Sequence, residues 1–130
     1  GEPLLVHWTY STTTPTLSKC DTVFQHCDLD APATSNPERL IRFADAPSYH
    51  LTTGTSFRNL FSGRMGCPSL CGGYGEFQPG TSLPCHVHPY DESIFIVKVQ
   101  AACEVAGRRH ALSGCDTAMV PEGLPHRFLN

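Results

Sequence analysis

Glycine and proline break this chain into short segments, and that interruption limits its fold more than any other feature. The 130 residues include 11 glycines and 11 prolines. The apolar segments between them show no sustained 3.6-residue period, which argues against long amphipathic helices. Short extended segments separated by turn-forming residues are typical of sandwiches and barrels. The sequence therefore predicts an all-β protein with many turns.

Eight segments have the composition of strands, because branched and aromatic residues in them are bounded by turn-forming residues. They are residues 4–10, 58–64, 70–77, 93–99, 101–105, 110–112, 117–120 and 126–129. Ala106 and Gly107 are predicted to form a hairpin turn. Residues 28–39, "DLDAPATSNPER", have instead the polar, turn-rich composition of a linker on the surface.

Length and charge restrict the domain count and the partners. A chain of 130 residues is long enough for one core, so we expect a single domain over residues 1–130. The formal net charge is -3 and the basic residues form no cluster beyond Arg108 and Arg109, which disfavours nucleic acid as a partner. No apolar run approaches the roughly 20 residues that a membrane span needs. We expect a cytoplasmic protein without a membrane partner.

The seven cysteines are predicted to be reduced thiols, because their number is odd and nothing else suggests secretion. Cys67 and Cys71 have a spacing that could suit zinc. A structural zinc site needs four ligands, however, and Cys20 and Cys27 form a poor second pair. The three remaining cysteines are interpreted as small packing residues: Cys85, Cys103 and Cys115.

The segment "LPCHVHPYDESIFIV" contains the residues best suited to chemistry. On a strand, residues two apart point to the same face, so His86 and His88 would project together. A Pro-Tyr-Asp turn follows, after which Glu92 opens the next strand and its carboxylate could return to that face. His126 lies near the C-terminus, between a Pro-x-Gly turn and an apolar strand. These four residues are candidate metal ligands.

Two motifs here resemble those of the cupin superfamily. The first cupin motif is a glycine, five residues, His-x-His, three or four residues and a glutamate; its counterparts are Gly80, His86, His88 and Glu92. The second is Pro-x-Gly, two residues, a histidine, three residues and an asparagine; its counterparts are Pro121, Gly123, His126 and Asn130. The resemblance covers residues 76–130. It implies the cupin double-stranded β-helix, a jelly-roll barrel, with one divalent metal held by His86, His88, Glu92 and His126.

The chain departs from the cupin pattern at two turns. Val99 stands where the first motif closes with a glycine, and a β-branched residue would be strained there if the turn needs a positive φ. The second motif usually opens with Gly-Asp, whereas residues 114–116 read Gly-Cys-Asp. Either Cys115 stands in the glycine place or one residue is inserted. Neither departure changes a ligand.

The N-terminal segment "GEPLLVHWTY" is similar to the strand that follows the "HRFLN" equivalent in cupins. Read across the two ends, Asn130 followed by Gly1 forms a strong hairpin signal. We therefore hypothesise a circular permutation, natural or engineered, in which residues 28–39 join the original termini.

Three imidazoles and one carboxylate suit a first-row divalent metal, namely iron, manganese, nickel, copper, cobalt or zinc. Four protein ligands leave room for substrate on a metal with a larger coordination number, as in catalytic sites; a closed structural site is the alternative. Glu92 is also the candidate general base. Tyr90 and Asp91 are interpreted as turn residues.

Side-chain alternation along the strands predicts which residues face the ligands. It selects Ile94 and Ile96 from Glu92 and Phe128 from His126 as the lining of an apolar substrate pocket, with Trp8 and Tyr10 joining them from the N-terminal segment. The alternative is that these side chains fill a small barrel.

The resemblance implies an enzyme acting on a small organic molecule, and a dioxygenase is the first expectation. An isomerase or lyase acting on a sugar acid, with the metal as Lewis acid, is the second. A non-enzymatic module that binds a ligand or metal is the third, because one fold hosts many functions. We also expect a homodimer formed through sheet edges.

Overall fold

The structure, a computed structural model, describes residues 39–130 and, ahead of them, residues 3, 4, 6, 7, 9 and 14–16. Its strands are β1 Ser48–Tyr49, β2 Thr55–Phe61, β3 Gly72–Phe77, β4 Glu92–Phe95, β5 Gln100–Val105, β6 Arg108–Ser113, β7 Thr117–Val120 and β8 His126–Leu129. Two short 3-10 helices are Phe43–Asp45 and Gly63–Met65. The predicted all-β class is confirmed. None of the helices among the described residues is long and apolar enough to cross a membrane.

Within the described residues all strand pairs are antiparallel, and the strands form sheets ordered β1-β2-β3, β4-β7 and β6-β5-β8. β5 and β6 are joined by the predicted hairpin turn. Ala106 has a φ of 47° and Gly107 a φ of 80°, the two positive angles that a type I′ turn needs. The turn matches the twist of the flanking strands, and the prediction is confirmed.

Backbone hydrogen bonds bring the two sequence motifs side by side. His86 and His126 exchange a reciprocal pair of bonds, with N···O distances of 3.0 and 2.9 Å. Asn130 donates from its side-chain nitrogen to the carbonyl of Phe77 at 2.7 Å, and its own carbonyl accepts from Gly80 at 3.0 Å. The first motif therefore runs along the free edge of β8, so ligands far apart in sequence meet.

The core is formed by side chains from the β4-β7 and β6-β5-β8 sheets, with Phe77 of β3. Its buried centre is Cys103, Val120 and Phe128, and the partly buried side chains packed against it are Phe77, Ile94, Val105, Leu112, Ala118 and Leu124. The predicted pocket residues Ile94 and Phe128 thus belong to this core, while Ile96 is half-buried just beyond the end of β4.

Several predicted strand ends were wrong. β4 was expected to reach Val99 but ends at Phe95, and Val99 itself has a φ of 62°, which a strand cannot contain. β2 begins at Thr55 instead of residue 58, and a 3-10 helix covers the predicted end of that strand. β6 is longer than predicted, since edge residues with exposed side chains still pair with β5.

The N-terminal predictions are tested only in part. Of the strand expected over residues 4–10, the described residues Leu4, Val6, His7 and Thr9 lie outside any strand. Trp8 and Tyr10 lie outside the described residues, as do residues 28–38 of the predicted linker.

Candidate metal centre

The first two candidate ligands lie in an irregular segment, so the predicted strand through them was wrong. His86 forms an isolated bridge with His126, and residues 87–91 are in no strand. The alternation of side chains is nevertheless kept. Val87 is 61% exposed, whereas His86 and His88 are half-buried. The two imidazoles therefore share a side without the regular backbone that sequence reasoning assumed.

The structure brings all four predicted ligands together. One ring nitrogen from each of three histidines and one carboxylate oxygen lie within 4.8 Å of one another in the group His86, His88, Glu92 and His126. Oε2 of Glu92 lies 2.9 Å from Nε2 of His126 and 3.4 Å from Nε2 of His88. Among the residues described, this is the one group of three or more His, Cys, Asp or Glu side chains close enough to share an ion.

The cluster is buried on one side and open on the other. The His126 side chain is 1% exposed, that of His88 is 12% exposed and that of Glu92 is 36% exposed. His126 is held at the start of β8 against Phe128, whose ring centroid lies 6.4 Å away. Glu92, at the start of β4, faces outwards. A small molecule could therefore approach from the side of Glu92.

Each histidine has its Nδ1 occupied by a backbone carbonyl. The three contacts are His86 to Pro84 at 2.9 Å, His88 to Tyr90 at 2.7 Å, and His126 to Leu124 at 2.8 Å. A carbonyl can only accept, so Nδ1 carries the hydrogen and each neutral imidazole presents an unprotonated Nε2. Contacts of this kind, made by the ring nitrogen that does not coordinate, orient histidines that bind metals.

The contact between Glu92 and His126 tests whether a cation fits. An ionised carboxylate and the Nε2 lone pair of a neutral imidazole are both acceptors. At 2.9 Å they repel unless a positive charge lies with them, either a proton on the ring or a metal cation. The donor types suit a first-row divalent metal, so the residues present fit the predicted ion.

Two hydrogen bonds hold the loops that carry the ligands. Gly123, with a φ of 74°, donates its amide to the carbonyl of His88 at 3.0 Å. Glu122 donates its amide to Oδ1 of Asp91, also at 3.0 Å. Asp91 thus does more than turn the chain, a role that sequence reasoning missed. The Pro-x-Gly spacing signals the left-handed turn, but no residue pattern signals which carbonyl that turn will meet.

Tyr90 packs on one of the ligands. Its ring lies parallel to that of His88, with centroids 4.2 Å apart and an angle of 5° between the planes. The Tyr90 side chain is 58% exposed, so the stack covers His88 at the open side of the cluster. Sequence reasoning treated Tyr90 only as a turn residue, because ring stacking across two positions leaves no periodic signal.

The cysteine interpretation is confirmed at one position and wrong at two. Cys103 is 1% exposed in the core; burial raises the pKa of its thiol, and the nearby charges of Glu92 and Glu104 raise it further. Cys85 and Cys115 are exposed. Cys85 lies on the outer side of the segment, and Cys115 has a φ of 75°, so it occupies the left-handed position that glycine usually fills.

The five described cysteines form no disulfide with one another, and Cys67 and Cys71 belong to no metal-binding group within residues 39–130. The predicted pocket residues Ile94 and Phe128 pack in the core. Contact of these two or of Ile96 with a substrate remains a prediction.

Comparison with known proteins agrees with this geometry. The sequence profile of a family described as a cupin domain matches residues 73–130. No curated protein sequence matches the chain significantly. Among solved structures, the polyketide cyclase RemF from Streptomyces resistomycificus superposes with a TM-score of 0.64 at 19% identity, covering 72% of this chain and 70% of that one.

Two further structures show the same fold. KdgF from a Halomonas species has a TM-score of 0.62 at 17% identity and covers 71% of this chain and 81% of its own. An RmlC-like cupin from Shewanella frigidimarina has a TM-score of 0.57 at 16% identity, covering 71% and 79%. These alignments extend beyond the segment that the family profile matches. These structures share the jelly-roll fold of this chain, and residues 73–130 match the profile of a cupin domain.

Proposed function

We propose that this protein is a metal-dependent cupin enzyme that acts on a small organic molecule. The observation that carries the proposal is the arrangement of the four side chains. Three Nε2 atoms, each freed for coordination by an Nδ1 contact to a carbonyl, converge with the Glu92 carboxylate within 4.8 Å. Hydrogen bonds that orient each imidazole are expected at a metal site and are unnecessary for surface histidines.

Oxidative cleavage by a dioxygenase is the chemistry that we propose first. When bound, a redox-active metal would supply the electron transfer to dioxygen that organic side chains cannot perform. Both contacts of Glu92 with its neighbouring histidines are made by Oε2, so this is the oxygen that would bind the metal. Asp91, the nearest carboxylate in sequence, is held by the amide of Glu122. Chemistry that depends little on a proton-transferring side chain suits such a site.

Isomerisation or elimination on a sugar acid is the second candidate, and the exposure of Glu92 favours it. The Glu92 side chain is 36% exposed, more than that of His88 or His126, and its Oε1 could accept a proton from a substrate while Oε2 remains a ligand. Glu92 would then be the general base. RemF is called a polyketide cyclase, so a non-oxidative reaction on this fold has a precedent.

Elemental analysis and oxygen uptake test the proposal. Purified protein is analysed by inductively coupled plasma mass spectrometry, and oxygen consumption is followed on a panel of diketones, phenols and thiols. Stoichiometric iron, copper, nickel or manganese with oxygen uptake supports the dioxygenase. Zinc without oxygen uptake favours proton transfer, with Glu92→Gln expected to abolish turnover while metal stays bound. No metal at all would leave a ligand-binding module.

We also propose that residues 1–130 form one domain, with residues 28–39 as a linker. The ring of His7 stacks on Phe95 with centroids 4.7 Å apart and planes 9° apart, so this residue of the N-terminal segment lies against β4. Limited proteolysis is expected to cut first within residues 28–39 and to leave both fragments associated. Separation of the fragments under native conditions would contradict this and the permuted arrangement.

A homodimer is the oligomeric state that we propose. Exposed apolar side chains such as Val87 and Met119, with 61% and 64% of their surface accessible, would be covered by a second copy. Light scattering at micromolar concentration is expected to give twice the mass of one chain, and the mass of one chain would contradict the proposal.

A further inference from the structure

The outer face of the β6-β5-β8 sheet carries a second site candidate. Antiparallel register places Glu104 of β5 between Arg109 of β6 and Arg127 of β8. The neighbouring residues Cys103 and Phe128 face the core, so this row of charged side chains faces away from it. The bridge between His86 and His126 continues the row to Cys85, which precedes His86 on the opposite side of the backbone.

A cavity of about 360 Å³ lies over this row, which is the size range of small-molecule sites. It is lined by Cys85, Glu104, Gly107, Arg109, Pro125 and Arg127. The hairpin turn at Gly107 and the segment at Pro125 form its rim and are tied together by a bond of 2.9 Å from the amide of Ala106 to the carbonyl of Pro125. The charged lining residues therefore lie on strands, and a backbone hydrogen bond ties together the turn and the segment that form the rim.

The charges of the cavity favour an anion. Glu104 accepts from Nε of Arg127 at 2.6 Å through one oxygen and from Arg109 at 3.4 Å through the other. One carboxylate thus faces two guanidinium groups, which leaves a net positive charge. Each guanidinium has five N–H donors and donates to Glu104 through only one of its nitrogen atoms. The Arg127 side chain is 40% exposed and that of Arg109 is 65% exposed, so unused donors reach solvent in the cavity.

We propose that this cavity binds a small organic carboxylate through Arg109 and Arg127. The planar fork of a guanidinium matches the two oxygens of a carboxylate and gives strong, charge-assisted hydrogen bonds. Glu104 holds the two arginines apart and in position. Because the row faces away from the core, the site is separate from the His-Glu cluster, and its existence does not depend on the proposed metal.

The alkylation rate of the Cys85 thiol measures this binding, because Cys85 lines the cavity. Iodoacetate and iodoacetamide react with a thiolate in the same way: sulfur attacks the CH₂ carbon, an S–C bond forms, and iodide leaves with the electrons of the broken C–I bond. Only iodoacetate carries a carboxylate. Cys71 and Cys115 are exposed and outside the cavity lining, so they are internal controls. Digestion followed by mass spectrometry gives the rate at each cysteine.

The ratio of the iodoacetate rate to the iodoacetamide rate is expected to be at least about fivefold higher at Cys85 than at either control. Arg109→Gln, at an exposed position, should lower the ratio towards that of the controls. Glu104→Gln should raise it, since the competing carboxylate is removed. Excess succinate should protect Cys85 from neutral iodoacetamide, whereas sodium chloride at equal ionic strength should not.

Equal ratios at all three cysteines would overturn the proposal. So would protection by chloride as strong as that by succinate, because the effect would then be general screening. A ratio unaffected by both Arg109→Gln and Glu104→Gln would also contradict it.

Discussion

The two ends of the β4-β7 strand pair are built differently. At the end where Glu92 pairs with Val120, the adjoining loops are linked by hydrogen bonds, and the three candidate ligand histidines each contact a backbone carbonyl through Nδ1. At the other end, Val99 and Cys115 both have positive φ values, 62° and 75°. These angles cost non-glycine residues free energy. The chain thus tolerates strain where no ligand lies and keeps its regular contacts around the cluster.

The departures from the cupin pattern, Val99 and Cys115, lie at the end away from Glu92, so they leave the candidate site intact. The amide of Cys115 still donates to the carbonyl of Ile96 at 2.7 Å, and that of Ile96 donates to Asp116 at 2.9 Å. Val99 and Cys115 both have the positive φ that glycine adopts most readily. The strain is confined to the turns, and the register of β4 with β7 is unaffected.

The largest expected effect is the loss of metal binding when one candidate ligand is removed at the end where Glu92 pairs with Val120. His88→Ala is expected to weaken divalent metal binding by more than about a hundredfold, because the loss of a coordinating nitrogen exceeds the loss of a contact that only orients it. His88 is not among the residues of the hydrophobic core, so the fold should survive. Isothermal titration with Co²⁺ measures the affinity, and circular dichroism checks the fold.

His110→Ala is the matched control, since this histidine is exposed and belongs to no cluster among the described residues. It should bind metal like the parent chain. Unchanged affinity in His88→Ala would remove this residue from the ligand set.

Relieving strain should stabilise the other end. Val99→Gly is expected to raise the free energy of unfolding by about 1 kcal/mol, because the relief of a left-handed valine exceeds the entropy that glycine loses on folding. Urea denaturation measures the change. Val97→Gly in the same loop is the control: Val97 is not among the residues with positive φ, so glycine there should destabilise by about 0.5–1 kcal/mol. Equal losses in both variants would mean that Val99 is not strained.

The buried thiol of Cys103 in the core should give the smallest effect, and this effect depends on pH. Burial, then Glu92 and Glu104, raise the pKa of Cys103 above its ordinary value of 9.0. Above that pH the unfolded chain releases a proton that the folded chain still holds, so stability falls as pH rises. Metal-free Cys103→Ala should lose less stability than the parent between neutral and alkaline pH in urea titrations. Cys71→Ala, at an exposed position, should follow the parent, and identical slopes in all three would contradict the shift.

The sequence predicted the fold best where side-chain alternation and turn chemistry agree. β5 and β7 and the turn at Ala106 and Gly107 were placed within a residue, since each is bounded by residues with clear backbone preferences. β1 was missed because Ser48–Tyr49 is too short to show a period. β4 was predicted too long because "IFIVKV" looks continuous, and only the tertiary turn at Val99 ends the strand.

The sequence predicted that the four candidate ligands lie together, and the structure places them in one cluster, although the reason given for one part of the prediction was wrong. His86 and His88 were assigned to one face by strand alternation, yet the segment is irregular and is placed by its pairing with His126. The carbonyl contacts of the rings, the Asp91 bond and the stacked Tyr90 were not predicted. They depend on where separate loops meet, and this information is absent from local residue patterns.

X-ray absorption spectroscopy of zinc-loaded protein tests the central claim most directly, because seven cysteines offer an alternative to the His-Glu cluster. The account predicts one zinc per chain with a first shell of nitrogen and oxygen at about 2.0–2.2 Å, showing imidazole scattering that is lost in His88→Ala. A first shell of sulfur at about 2.3 Å would assign the metal to thiolates and contradict the proposed site.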